Sequence, residues 1–89
     1  MKTFEVTQKY IDKGKRHNPV TCPIGRSLKA EYPFALVSTT FITLDHGRTI
    51  NYYCGENLHK LIVDFDAGKE VEPFEFYIDF DNKMAEIVS

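Results

Sequence analysis

A stretch of strict alternation near the C-terminal end constrains the fold most. From position 74 to position 81, apolar and polar residues alternate in the order Phe-Glu-Phe-Tyr-Ile-Asp-Phe-Asp. Successive side chains of a β-strand point to opposite faces of its sheet. This segment therefore predicts a strand at 74–80 that has one apolar face against a core and one acidic face.

The first third of the chain predicts a strand and two helices. Residues Lys2 to Val6 also alternate, which predicts a first strand. Thr7 can cap a short helix over 8–13 that ends at Gly14. Thr21-Cys22-Pro23 is typical of a helix start, and we expect this second helix to stop near Glu31, before Tyr32-Pro33.

The middle of the chain predicts a hairpin followed by a helix. The β-branched and aromatic residues from Phe34 to Leu44 favour one long strand, bent along its length. A turn at 45–48 leads to a return strand from Thr49 to Tyr53. Beyond this hairpin, apolar residues recur at helical spacing until Gly68.

This order of elements predicts an α+β fold, with two or three helices on one face of an antiparallel sheet of about four strands. Its 89 residues fit a single domain over 1–89 without a separate enzyme core, and we expect residues 82–89 to fray. The predicted core is Phe4, Val6, Ile11, Ile24, Leu28, Val37, Leu58, Leu61, Ile62, Phe65, Phe74, Phe76, Ile78 and Phe80.

No run of residues has the apolar length of a signal peptide or a membrane span, so we expect no contact with a membrane. Two cysteines cannot form the dense disulfide framework of a small secreted domain, although one bridge between Cys22 and Cys54 is possible if they meet in space. We therefore expect a cytoplasmic protein with two reduced thiols.

Residue types that carry chemistry are few. His17, Cys22, His46 and Cys54 could ligate a metal, but no Cys-x-x-Cys pair occurs, and packing or capping is the more ordinary role for both cysteines. Cys22 at a helix start, just after Lys15, Arg16 and His17, could form a stabilised thiolate, but no second motif supplies an orienting carboxylate or an oxyanion site. The five glycines match no phosphate-binding loop. We predict no catalytic residue, no cofactor and no metal.

Charge is unevenly distributed along the chain. Residues 1–63 hold nine Lys or Arg and five Asp or Glu, whereas residues 64–89 hold two Lys and eight acidic residues. This split predicts two candidate surfaces. The first is an acidic row made of Glu72, Glu75, Tyr77, Asp79 and Asp81. The second is a basic patch made of Lys13, Lys15, Arg16 and Arg26. Equally, both could be ordinary solvated surface.

Two segments carry a family resemblance: Cys22-Pro23-Ile24 with Leu28, and the run from Phe65 to Phe76 that reads Phe-Asp-Ala-Gly-Lys-Glu-Val-Glu-Pro-Phe-Glu-Phe. Together with Thr7-Gln8, Ile11 and Gly14, they resemble a group of short bacteriophage and prophage proteins. Members often carry a further cysteine where this chain has Pro19. The resemblance implies a shared fold and a viral setting, and it supplies no catalytic residues.

Taken together, these features predict a phage protein that binds a host protein in the bacterial cytoplasm without chemistry. The acidic row would be the contact surface, and an inhibitor of a host defence complex, similar to an anti-CRISPR protein, is the expected role. Two alternatives stay open. The basic patch could serve a nucleic-acid-binding accessory protein, or the chain could be a structural phage component.

Overall fold

Six strands form one mixed sheet in the computed structural model, which describes residues 1–45 and 50–88. The strands are β1 (Lys2–Val6), β2 (Leu36–Val37), β3 (Phe41–Thr43), β4 (Tyr52–Cys54), β5 (Phe74–Asp79) and β6 (Met84–Ile87). Their order across the sheet is β1-β5-β6-β4-β3-β2. Neighbours pair antiparallel, except that β4 and β6 are parallel. The α+β class is confirmed, and the predicted antiparallel sheet of about four strands agrees only roughly with this six-stranded mixed sheet.

Three helices lie in the described residues: α1 (Gln8–Lys13), α2 (Pro23–Leu28) and α3 (Glu56–Asp66). Thr7 caps α1 as predicted, because its Oγ1 accepts a hydrogen bond from the Tyr10 amide at 3.4 Å. Helix α2 ends at Leu28 rather than near Glu31. The amides of Glu31 and Tyr32 both donate to the Leu28 carbonyl, so the chain leaves the helix through a tight turn.

The predicted long strand over 34–44 is two short strands, β2 and β3, joined by a turn. The Ser38 hydroxyl accepts hydrogen bonds from the amides of Thr40 and Phe41, at 3.3 Å and 3.1 Å, and so closes this turn. Strand β3 pairs with β4 as the predicted hairpin requires. Strand β4 begins at Tyr52, and positions 46–49 of the predicted turn and return strand lie outside the described residues.

The segment 82–89, for which fraying was predicted, contains a strand. Met84–Ile87 form β6, which lies between β5 and β4 and is therefore an interior strand of the sheet. The chain reverses between β5 and β6 through a turn that ends at Lys83, which has a left-handed φ of 54°. Because an interior strand supplies hydrogen bonds to two neighbours, β6 joins the β1–β5 pair to the β2–β3–β4 half.

One face of the sheet holds the core. The register aligns Phe4, Phe76, Ile78, Ala85, Tyr52, Ile42 and Val37 on this face, where all are buried. Helices α2 and α3 add Ile24, Leu28, Leu58 and Ile62 to the same cluster. Of the predicted core, Ile11, Leu61, Phe65 and Phe74 are only half-buried. Phe80 is 36% exposed, because β5 ends at Asp79 and Phe80 begins the turn.

A carboxylate from β6 caps α3. Gly55 is the N-cap residue of α3 and offers no side chain, but Glu86 accepts hydrogen bonds from the amides of Leu58 at 2.7 Å and Asn57 at 3.2 Å. A Cβ on Gly55 would collide with the Glu86 carboxylate, so glycine leaves the space that the carboxylate occupies. The last strand thereby fixes the start of the longest helix.

Candidate protein-binding surface

The face of the sheet opposite the core carries the acidic residues of β5. Phe76 and Ile78 point into the core, so Glu75, Tyr77 and Asp79 lie on the other face, as the alternation predicts. We call this the open face, because the buried residues of α2 and α3 belong to the core cluster on the opposite side. None of the helices in residues 1–45 and 50–88 contributes a buried residue to it.

Two carboxylates oppose each other on the open face. Glu5 of β1 is the direct cross-strand partner of Glu75, and both side chains are exposed. Directly opposite residues of an antiparallel pair have Cβ atoms about 4.5–5.5 Å apart, where like charges destabilise the pair. Among the described residues, no lysine, arginine or histidine forms an ion pair with either carboxylate.

Asp79 has a structural task. Its Oδ1 accepts hydrogen bonds from the amides of Asp81 and Asn82, both at 3.1 Å, and its Oδ2 accepts one from the Asn82 side-chain amide at 2.9 Å. The bond from the Asn82 side chain, together with those from the backbone, lowers the pKa of the Asp79 carboxyl below its ordinary value. Asp79 thus holds the β5–β6 turn.

The acidic row predicted from the sequence lies only in part on β5. Glu72 lies in the loop before β5, and Asp81 lies in the turn after it. Only Glu75, Tyr77 and Asp79 share the strand. Sequence reasoning missed Glu5, which only the register of β1 with β5 places beside Glu75.

Aromatic and apolar side chains occupy the opposite corner of the open face. Met84 of β6 is the partner of Tyr53 of β4, and Tyr53 is the partner of Phe41 of β3. The rings of Phe41 and Tyr53 meet edge to face, with centroids 6.5 Å apart. Tyr53 is 58% exposed, far more than a large aromatic residue within a sheet usually is. Sequence reasoning missed Met84 because it did not predict β6, and it placed Phe41 and Tyr53 in the hairpin without singling them out.

The residues of the predicted basic patch lie on α1, on the α1–α2 loop and on α2. Lys13, Lys15 and Arg16 are exposed, and none of them takes part in an ion pair within residues 1–45 and 50–88. Arg26 is half-buried, and its Nε donates a hydrogen bond to the Thr21 carbonyl at 3.0 Å. Arg26 therefore holds the start of α2, and the accessible patch consists of the other three.

The two predicted charge regions meet in one cleft. Arg16 and Lys69 line a groove between α1 and the α3–β5 loop together with three acidic residues, Asp12, Glu70 and Glu72. The Arg16 guanidinium lies against Gly68, which has a left-handed φ of 87°. Acidic side chains beside Arg16 reduce the positive potential that a phosphate backbone would meet.

Both cysteine thiols have raised pKa values, although His17 and Asp66, whose Nδ1 and Oδ2 atoms lie 3.7 Å apart, line one pocket with Cys22. Cys22 caps α2, and its Sγ accepts a hydrogen bond from the Gly25 amide at 3.4 Å. Burial nevertheless raises the pKa of the Cys22 thiol above its ordinary value, and burial raises that of Cys54 to about 12. Both thiols are free. Across residues 1–45 and 50–88, no group of three or more His, Cys, Asp or Glu side chains is placed to hold a metal ion, and His46 lies outside these ranges.

Comparisons with protein-family models, curated proteins and solved structures find no match to this chain. No helix within the described residues combines the length and the apolar character needed to cross a bilayer.

Proposed function

We propose that this chain is a protein-binding module whose open face docks a basic surface of a partner protein, without a catalytic step. The observation that carries the proposal is the composition of this face. It combines an aromatic and apolar corner, in which Tyr53 is exposed and Phe41 and Met84 are half-buried, with the opposed carboxylates of Glu5 and Glu75.

The energetics of the face favour such a partner. Tyr53 exposes apolar ring surface beside a polar hydroxyl, and tyrosines of this kind often act as anchors of protein interfaces. A cation placed between Glu5 and Glu75 would relieve a repulsion that the free protein tolerates. Complementary charge of this kind directs a partner to one orientation and speeds association.

The nature of the partner follows only from the resemblance to phage proteins. On that basis the partner is a bacterial host protein, and inhibition of a defence complex is the role we favour. A structural role in the phage particle would use the same face against another phage protein.

Nucleic-acid binding is the second candidate. Lys13, Lys15 and Arg16 favour it, because they are exposed and form no ion pair with another described residue. Three cations neutralise few phosphates, and Asp12, Glu70 and Glu72 share the cleft with Arg16. We therefore expect any such binding to be weak and steeply dependent on salt.

Capture from a nuclease-treated bacterial lysate tests the proposal with single substitutions. Tyr53→Ser and Glu75→Lys alter exposed side chains of the open face. Glu70→Lys makes the same charge reversal in the α3–β5 loop, and Val63→Ser likewise replaces an exposed large side chain of α3 by serine. We expect a protein that the parent and both controls capture, and that both open-face variants lose.

A Lys15→Glu/Arg16→Glu double variant distinguishes nucleic-acid binding from protein binding through the open face. Loss of the captured protein in this variant alone would contradict the proposal. So would direct binding of purified chain to DNA or RNA that this variant abolishes.

A further inference from the structure

The carboxylates and the aromatic residues of the open face lie at diagonally opposite corners. Glu5 and Glu75 lie at the end of the sheet where β5 begins, whereas Met84, Tyr53 and Phe41 form a row level with Asp79, where β5 ends. Tyr77 lies between the two corners on β5 and is half-buried. A ligand that covers both the carboxylates and the aromatic residues must cross the strands obliquely.

The strand geometry gives the length of this diagonal. From β5 to β3 there are three strand spacings, or about 14 Å, and the four residues from Glu75 to Asp79 rise about 13 Å. The diagonal from Glu75 to Phe41 is therefore about 20 Å. An α-helix covers this distance in about 13 residues, and its diameter of about 10 Å matches two strand spacings.

The chemistry of a sheet face favours a helix over an extended segment. The backbone groups of interior strands are already paired within the sheet, so the open face offers a ligand only side chains. An extended segment lying on it would bury its own amides and carbonyls without partners, which is costly. A helix pairs its backbone groups internally and presents only side chains.

Charge excludes the open face of a second copy as the occupant. Within residues 1–45 and 50–88, the strand residues on the open face include Glu5, Glu75, Asp79 and Glu86 but no lysine or arginine. Lys2 belongs to the register of the opposite face and pairs with Glu31. Two open faces brought together would therefore bury carboxylates against an acidic surface. The occupant must be basic.

We propose that the recognition element of the partner is a basic amphipathic helix that lies diagonally across the open face. Its apolar side chains cover Phe41, Tyr53 and Met84, and basic side chains at one end enter between Glu5 and Glu75. This inference rests on the proposed function and specifies the class of partner.

Designed peptides test the inference with purified, isotope-labelled protein. The first is a helix of about 14 residues, built from alanine, with leucine or methionine at three- and four-residue spacing and three arginines in one terminal turn. The second has the same residues with one central alanine replaced by proline, which breaks the helix. The third has glutamate in place of each arginine. Amide chemical shifts report where each peptide binds, and circular dichroism reports whether it is helical.

We expect the first peptide to shift the amides of residues 41, 53, 75, 77 and 84, and to gain helix as it binds. The second and third should bind at least about tenfold more weakly, which corresponds to 1.4 kcal/mol. Tyr53→Ser and Glu75→Lys should each weaken the first peptide about fivefold or more, whereas Val63→Ser and Glu70→Lys should leave its affinity unchanged.

The outcomes separate this inference from the proposed function. Equal affinity for the first two peptides, or no binding of the first, would refute the proposal that the partner binds through a helix. The protein captured from the lysate would still be evidence that the open face binds a partner. Equal affinity for the first and third peptides overturns the basic end. Shifts confined to residues 13–16 contradict both proposals.

Discussion

The carboxylate of Glu86 stabilises the start of α3, and its removal should measurably destabilise the protein. In Glu86→Ala, the amides of Asn57 and Leu58 lose their acceptor, and the first turn of α3 loses a nearby negative charge. Loss of an N-cap side chain costs about 0.5–2 kcal/mol, and loss of a charge at a helix N-terminus costs about 0.3–1 kcal/mol. We expect a total of about 2 kcal/mol.

Thermal unfolding followed by circular dichroism measures this effect. For a domain of this size, a cost of about 2 kcal/mol lowers Tm by about 8–16 °C. Glu86→Gln keeps an acceptor oxygen but loses the charge, so we expect about half of this decrease. Glu72→Ala, in an exposed loop, is the control and should change the free energy of unfolding by less than about 0.5 kcal/mol. A Glu86→Ala variant that melts with the parent would refute the cap and the position of β6 beside α3.

Three further predictions follow from the packing and the thiols. Phe76 is fully buried in the sheet, so Phe76→Ala should lower the free energy of unfolding by about 3–5 kcal/mol in urea titrations, and an unchanged midpoint would contradict the position of β5. Deletion of residues 83–89 removes interior strand β6 and should abolish the cooperative unfolding transition, whereas a frayed end could be removed without effect. Because the pKa of both thiols is raised in the folded state, iodoacetamide should modify Cys22 and Cys54 far more slowly in native than in unfolded protein at pH 7–8. The same raised pKa values make stability depend on pH. The contribution to stability is full below the pKa of an unfolded thiol, about 8.5, and is lost as the pH rises toward 12. Cys54→Ala should therefore lose less stability than the parent between these pH values.

The local pattern of side chains was sufficient to predict those helices and strands whose formation depends on residues close in sequence. Strand β1, helix α1 and the alternation of β5 have the bounds or faces that their side-chain patterns indicate. Pro23 and Cys22 likewise begin α2. Each of these signals acts within a few residues, as caps and strand alternation do.

The errors concern features that arise from contacts distant in sequence. Met84–Ile87 is a short, weakly patterned segment, and its position between β5 and β4 depends on pairing with both. The turn that divides β2 from β3 depends on one hydroxyl, that of Ser38, in a segment whose β-branched residues favour a continuous strand.

The candidate surface shows the same division. The alternation in β5 was enough to place Glu75 and Tyr77 on one face. The register was needed to bring Glu5 beside Glu75 and to place Met84 beside Tyr53. Asp79 could have been recognised from its Asp-Phe-Asp-Asn sequence, since an aspartate often accepts amide hydrogen bonds two or three residues further on.

The footprint of a bound partner shows whether the open face is the binding surface. Amide hydrogen exchange of this chain, measured alone and in complex with the protein captured from the lysate, reports which segments the partner covers. We predict added protection in β3, β4, β5 and β6, with residues 13–16 and the outer surface of α3 unchanged. Protection confined to residues 13–16 or to α3, with the strands unchanged, would contradict binding through the open face.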